Sequence, residues 1–354
     1  MSAGDDFDPA AAVPSDAGIF GRNISPEQAA VVLVPVPFDG TASYRPGAAD
    51  GPRAMLRASH QIDLFDLETG SPWEAGIAML EESEVVRAAC RTAREAAGRA
   101  RQASEDGADA EQEVHQESVD EACRRVNDYV GNTVDEWLAR GKLVGTLGGD
   151  HGSVFAAIAA HAGRYPGMGI LHIDAHADLR PAYEGFTWSH ASVMHNVLQR
   201  AADVSRIVQV GVRDFSEQEY RVIEGSGGRV RTHFWPDLGR ERLRGTPFSE
   251  QAARVVADLP DDVYVSFDID GLSPELCPHT GTPVPGGLSF DEAVHLIREV
   301  AESGRRIVGF DLVEVAPNPS GDAGDESDEW DANVGMRILY KLIGWALRSQ
   351  STVP

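Results

Sequence analysis

Six short apolar runs punctuate the chain, at 31–37, 143–147, 169–173, 206–210, 263–267 and 306–310. Runs this short, rich in Val, Ile and Leu, read as buried strands. Helical stretches separate most of them. That alternation predicts an α/β fold, a parallel sheet with helices on both faces.

The text between the runs sets the organisation. Residues 1–29 lack sustained periodicity and are expected to form a poorly ordered, flexible arm. A loop at 40–47 precedes a helix opening at Gly51, with Pro52 in its first turn. Residues 81–140 are rich in Ala, Glu, Arg and Gln without Pro, so two helices are expected, broken around Asp106-Gly107-Ala108-Asp109, with a solvated acidic face. Neither an internal repeat nor a clear linker is present, which favours one catalytic domain over 30–350.

Composition narrows the partners. The 354 residues carry 31 basic and 56 acidic side chains, a net charge of −25, which disfavours nucleic acid and anionic membrane. No stretch approaches the roughly 20 apolar residues of a membrane span. The acidic first residues do not resemble a secretory leader. Cys90, Cys123 and Cys277 form no disulfide framework and no zinc-finger spacing, so a reducing, cytoplasmic setting is expected.

Three strands end in metal-ligand residue types, and in open parallel sheets ligands bind beyond the carboxyl ends of strands. The first ends in Gly148-Gly149-Asp150-His151. The second runs His172-Ile173-Asp174-Ala175-His176-Ala177-Asp178, and the period of two in extended chain puts Asp174, His176 and Asp178 on one side. His172 shares that parity but lies deeper, in the core or behind the ligands. The third, Ser266-Phe267-Asp268-Ile269-Asp270-Gly271, pairs Asp268 with Asp270. Converging carboxylates and imidazoles repel or desolvate one another unless a cation joins them. Four carboxylates and two imidazoles exceed the needs of one tetrahedral zinc and suit Mn²⁺ and related ions. Two ions about 3.5–4 Å apart can clamp an attacking oxygen at neutral pH, so the constellation predicts hydrolysis.

These motifs resemble the ureohydrolase family of arginases, agmatinases and formimidoylglutamases. The resemblance is carried by GGDH at 148–151, DAHAD at 174–178, SFDIDGLSP at 266–274, GTPVPGGLS at 281–289 and DLVEVAPN at 311–318, in family order. SYRPGA at 43–48 and GP at 51–52 resemble the agmatinase-type N-terminal signature. The resemblance implies a three-layer, arginase-like fold and a dinuclear manganese site. In it Asp174 and Asp268 would bridge the metals, His151 and Asp178 would complete one site, and His176 and Asp270 the other. It also implies that Asp178 orients the nucleophile, that His190 shuttles protons, and that Glu314 pairs with the planar cation of the substrate. Thr282 is expected near Glu314 or the substrate. Family members are often homo-oligomers, trimers or hexamers.

The substrate is less constrained. Arg180 stands where arginases carry an Asn, which disfavours arginase. The Asp178-Leu179-Arg180 triplet resembles formimidoylglutamases, where Arg180 would hold a glutamate carboxylate; an ion pair of Arg180 within the protein is the competing reading. The N-terminal signature leans towards agmatinase, releasing urea and putrescine from agmatine. Tyr183, Phe186 and Trp188 in the loop 181–188 would narrow the mouth around a small cation, as in agmatinase-like enzymes that hydrolyse free guanidine with nickel. A non-catalytic relative, and a deacetylase-type enzyme with one zinc, are the competing classes.

Overall fold

The computed structural model describes residues 7–9, 11–14, 16–318 and 329–351. Among these, eight strands make one sheet: β1 (Val31–Val36), β2 (Ile77–Met79), β3 (Leu143–Gly148), β4 (Gly169–Ile173), β5 (Arg206–Val210), β6 (Val230–His233), β7 (Asp262–Asp268) and β8 (Arg306–Val313). Every neighbouring pair is parallel, in the order β2-β1-β3-β8-β7-β4-β5-β6. The helices are α1 (Gly51–Ala58), α2 (Glu84–Glu105), α3 (Asp109–Ala139), α4 (Phe155–Arg164), α5 (Val193–Arg200), α6 (Glu217–Gly225), α7 (Trp235–Leu243), α8 (Phe248–Ala257), α9 (Phe290–Glu302) and α10 (Trp330–Ser351).

The strand period of two divides the core in two. Val31 and Leu33 point into a cluster with α1, α8, α9 and α10, while Val32, Val34 and Val36 point into another with α2, α3, α4 and α5. The result is a three-layer αβα fold of the arginase-like kind. The six expected strands are present, and the helical segment divides into α2 and α3 around Gly107, whose φ of 69° suits glycine. Sequence reading missed β2 and β6. Both are short edge strands, and β6 (Val-Arg-Thr-His) exposes polar side chains at the end of the sheet.

The four central strands β3, β8, β7 and β4 set up the site. Register pairs Leu147 with Leu312, Leu312 with Phe267, and Phe267 with Ile173. The residues just beyond therefore emerge at one level, and these include Asp268, Asp174, Glu314 and the turn to His151.

The expectation of a flexible arm over 1–29 needs correcting where the arm is described. Ile19 and Phe20 are buried, Phe20 packs 4.9 Å from the ring of Tyr340, and its amide donates to Ser59 Oγ. Two adjacent apolar residues in a polar stretch show no period, so their anchoring role was not legible. Residues 1–6, 10 and 15 of the arm lie outside the described residues. Phe20→Ala should cost about 3–5 kcal/mol of stability, the usual range for truncating a buried Phe. Denaturant unfolding checks this; a loss under 1 kcal/mol would mean that the arm is not anchored.

Candidate metal centre and active site

His151 follows β3 at a turn that Gly149 makes possible. A Cβ on Gly149 would lie 1.9 Å from the carbonyl oxygen of Phe38. The buried imidazole turns its Nδ1 to three carboxylates: Asp174 Oδ2 at 3.0 Å, Asp178 Oδ2 at 3.2 Å and Asp268 Oδ2 at 3.3 Å. Its Nε2 lies 2.9 Å from Ser266 Oγ, which donates in turn to Asp311 Oδ1. The serine proton is thus committed to Asp311, so Nε2–H donates to the serine and Nδ1 presents its lone pair to three oxygens. Such a face is unfavourable unless a cation stands in it.

A second group adjoins the first. His176 Nδ1 lies 3.4 Å from Asp174 Oδ1 and 3.1 Å from Asp270 Oδ2. Ligand atoms of His151, His172, Asp174 and Asp178 lie within 4.8 Å of one another, as do those of Asp174, His176 and Asp270. Asp174 belongs to both groups. Asp268 joins through His151, and its Oδ1 accepts the amide of Asp270.

The electrostatics tell the same story. Burial, with Asp270 and Asp174 close by, holds the Asp268 carboxyl well above the carboxylate range. Burial and Asp174 push Asp178 up to about 6. Burial opposes a charged His151, but the pull of Asp174, Asp178 and Asp268 on a proton at Nδ1 outweighs this and raises its pKa well above normal, so this face draws a cation, a proton included. This donor set suits divalent cations that favour mixed oxygen and nitrogen ligands.

The support behind this His/Asp cluster was only partly legible. His172 Nε2 donates to Asp174 Oδ2 at 2.9 Å, while its Nδ1 accepts from Gln209, which is gripped by Thr232. Gln209, Ser266 and Asp311 sit inside apolar strands. Their only sequence signal was a polar residue within a buried run, a weak one.

The cavity over the cluster has a volume of about 610 Å³ and is lined by His176, Asp178, His190, Tyr183 and Thr282 among others. Thr282 Oγ1 reaches Asp270 Oδ2 at 3.4 Å. Glu314, with a φ of 60°, lies below the loop carrying Thr282: its Oε1 accepts the amide of His151 and its backbone oxygen accepts the hydroxyl of Thr280. Burial and Asp150 hold its carboxyl well above normal. His190 Nδ1 lies 3.3 Å from Thr41 Oγ1, and that hydroxyl donates to Asp150. Burial lowers the His190 pKa to about 4, reinforced by His176. Elsewhere in this loop region the buried Cys277 thiol donates to the Ile269 carbonyl, and His279 is clasped by Asp331.

Two expectations for the mouth are corrected. Trp188 does not face the cavity: it packs against Phe155 and under Arg200, in a groove between α3 and α4, while Phe186 is fully buried in the core. Of the loop's aromatics at 183, 186 and 188, only Tyr183 lines the cavity. Arg180 also lines it, but its Nε pairs with Glu219 Oε2 at 3.4 Å, and its guanidinium lies over Tyr183. A carboxylate within the protein therefore already answers its charge.

The acidic helices hold this mouth. Arg101 of α2 pairs with Glu184 and donates to the Ala42 carbonyl; on α3, Gln116 donates to the Glu184 carbonyl and Asp120 accepts the Thr187 amide. Asp120→Ala should cost about 1–3 kcal/mol, the range for removing a charged partner from a buried donor. It should also speed amide exchange across 183–188. Unchanged exchange there would show that α3 does not hold the loop.

Known proteins share this design. The sequence profile of the arginase family matches residues 29–344. The chain is 35% identical over 302 residues to the N(1)-aminopropylagmatine ureohydrolase of Thermus thermophilus, covering 85% of this chain and 87% of that protein. It is 29% identical over 325 residues to the agmatinase of Halalkalibacterium halodurans, covering 90% and 93%. The crystal structure of the agmatine ureohydrolase of Thermoplasma volcanium superposes with a TM-score of 0.68 at 23% identity, covering 92% of this chain and 93% of that one, a likeness of fold. The chain belongs to the arginase family and is an enzyme of the ureohydrolase type, a metal-dependent hydrolase of guanidino C–N bonds.

Proposed function

We propose that this enzyme hydrolyses agmatine to urea and putrescine, with residues 30–350 acting as one catalytic domain. The observation that carries the reading is the pair of adjoining His/Asp groups sharing Asp174, with the Glu314 carboxyl held beside them by the amide of His151. The pairing of Arg180 with Glu219 weighs against formimidoylglutamate, because it removes the expected carboxylate partner. The burial of Phe186 in the core and the turn of Trp188 to an outer groove weigh against free guanidine, because a cavity of about 610 Å³ is then not narrowed by them around one small cation.

His151, Asp174, Asp178 and Asp268 would hold one divalent ion, and Asp174, His176, Asp268 and Asp270 the other. Bound there, the two ions supply Lewis acidity and a nucleophile at neutral pH. The other steps belong to the chain's own side chains. Glu314 accepts paired N–H groups of the guanidinium and fixes its carbon within the site. Asp178 orients the nucleophile and takes up its proton. His190 is kept neutral by burial, and because the Thr41 hydroxyl is committed to Asp150, Nδ1–H donates to Thr41 Oγ1; its bare Nε2 therefore accepts the proton that Asp178 has taken up and hands it to the leaving amine. Thr282, beside Asp270, completes the wall next to the guanidinium. The family resemblance supports manganese as the metal and a trimer or hexamer; three free, buried cysteines support a reducing, cytoplasmic setting.

Urea release from agmatine by manganese-loaded protein, with bound metal counted in the same sample, tests the reading. Rapid release at two metals per chain is the expected outcome; no urea at full occupancy rejects agmatine. Asp174→Ala or Asp268→Ala should lose metal and nearly all activity, and full activity at two metals per chain would refute the ligand assignment. Glu314→Gln should lower kcat by about 100-fold or more, the scale of losing a transition-state partner, with metal content unchanged. A fall in metal content would make Glu314 a ligand or a structural residue.

A further inference from the structure

Agmatine carries a second cation, a terminal ammonium, for which no partner has yet been named. The charged groups of the cavity wall supply one by elimination. Glu219 is buried and occupied: it accepts from Ser216 and from the amide of Leu179, and it pairs with Arg180. Glu184 is paired with Arg101. Asp178 belongs to the cluster around His151. Asp214 differs: it lines the same cavity, is exposed, and its carboxylate has no hydrogen bond or ion pair among the described residues.

Its backbone, by contrast, is firmly held. The Asp214 amide donates to the Ala175 carbonyl, and Asp214 forms a parallel bridge with His176. The preceding Arg213 turns inward and donates to the carbonyls of Gly211, Asp270, Leu272 and Val284. A carboxylate is thus fixed to the segment that carries the proposed ligands, with its charge left unanswered. Fixing it in advance lowers the ordering cost of binding a cation there.

We propose that Asp214 receives the terminal ammonium of a guanidino-alkylamine and so sets the enzyme's preference for a dicationic substrate. This rests on the reading of the cavity as the guanidino-substrate site. A carboxylate-bearing substrate would need a free cation instead, and Arg45 is the candidate. Arg45 sits on the exposed tip, residues 44–46, of the 40–47 loop, with Nη1 donating to the Pro278 carbonyl and its guanidinium over Tyr44. It lacks the backbone ties that Asp214 has to the ligand segment, so the ammonium is favoured.

The test compares kcat/KM for agmatine, n-butylguanidine and 4-guanidinobutanoate, in the wild-type enzyme and in Asp214→Asn. n-Butylguanidine keeps the chain and guanidinium but lacks the amine. The wild type should favour agmatine over n-butylguanidine by about tenfold or more, the low end for a hydrogen bond to a charged group. Added salt should shrink that ratio, and Asp214→Asn should bring it close to one. Comparing substrates within one variant separates recognition from any general loss of fold or metal, and the wild-type ratio needs no variant. A wild-type ratio near one, a ratio unchanged in Asp214→Asn, or a preference for 4-guanidinobutanoate would each overturn the assignment while leaving the ureohydrolase reading intact. No urea from any of the three would overturn the agmatine reading and this assignment with it.

Discussion

The Nδ1 of His151, facing the carboxylates of Asp174, Asp178 and Asp268 among buried side chains, is the contact around which the rest is arranged. Buried carboxylates that face one another without a cation are costly. Such a cluster persists only where the backbone fixes each member and the remaining lone pairs are satisfied. Four parallel strands in register do the first, because they bring four chain ends to one level. Polar residues within those strands and their neighbours do the second. Asp311 and Ser266 set the tautomer of His151, and Thr232 and Gln209 set that of His172, which holds Asp174.

The same logic extends outward to the mouth. Loops 40–47 and 181–188 come from distant parts of the sheet and lack a ladder of their own. The α2–α3 pair supplies their fixed points through Arg101, Gln116 and Asp120. Acidity that reads as a solvated face in the sequence therefore includes a buried aspartate with a defined partner in the Thr187 amide.

What was legible in the sequence follows from these constraints. Strands buried on both faces appear as apolar runs, and the proposed ligands at their ends appear as DAHAD and DID because extended chain repeats every two residues. Direction and partnership were not legible. The aromatics at 183, 186 and 188 look alike in the sequence, yet they point to the cavity, the core and an outer groove. Arg180 carries a charge that looks available, but Glu219 on α6 answers it. Gln209 is one polar residue inside an apolar strand, and its function depends on β4 and β6 lying on either side of β5. Two buried residues, Ile19 and Phe20, anchor a segment whose composition suggested disorder.

Charge bookkeeping at the mouth shows why the net charge says little about selectivity. A chain at −25 draws cations weakly from a distance, and salt screens that attraction. At contact range the count is different. Glu184 and Arg101 cancel, as do Glu219 and Arg180, and each pair is spent on holding a loop or a helix end. A substrate entering the cavity therefore meets only those charges that the fold has left unanswered. Selectivity resides in these few groups and in how firmly their backbone is tied to the ligands. A relative that kept every ligand but paired or removed such a residue would retain the chemistry and change its substrate.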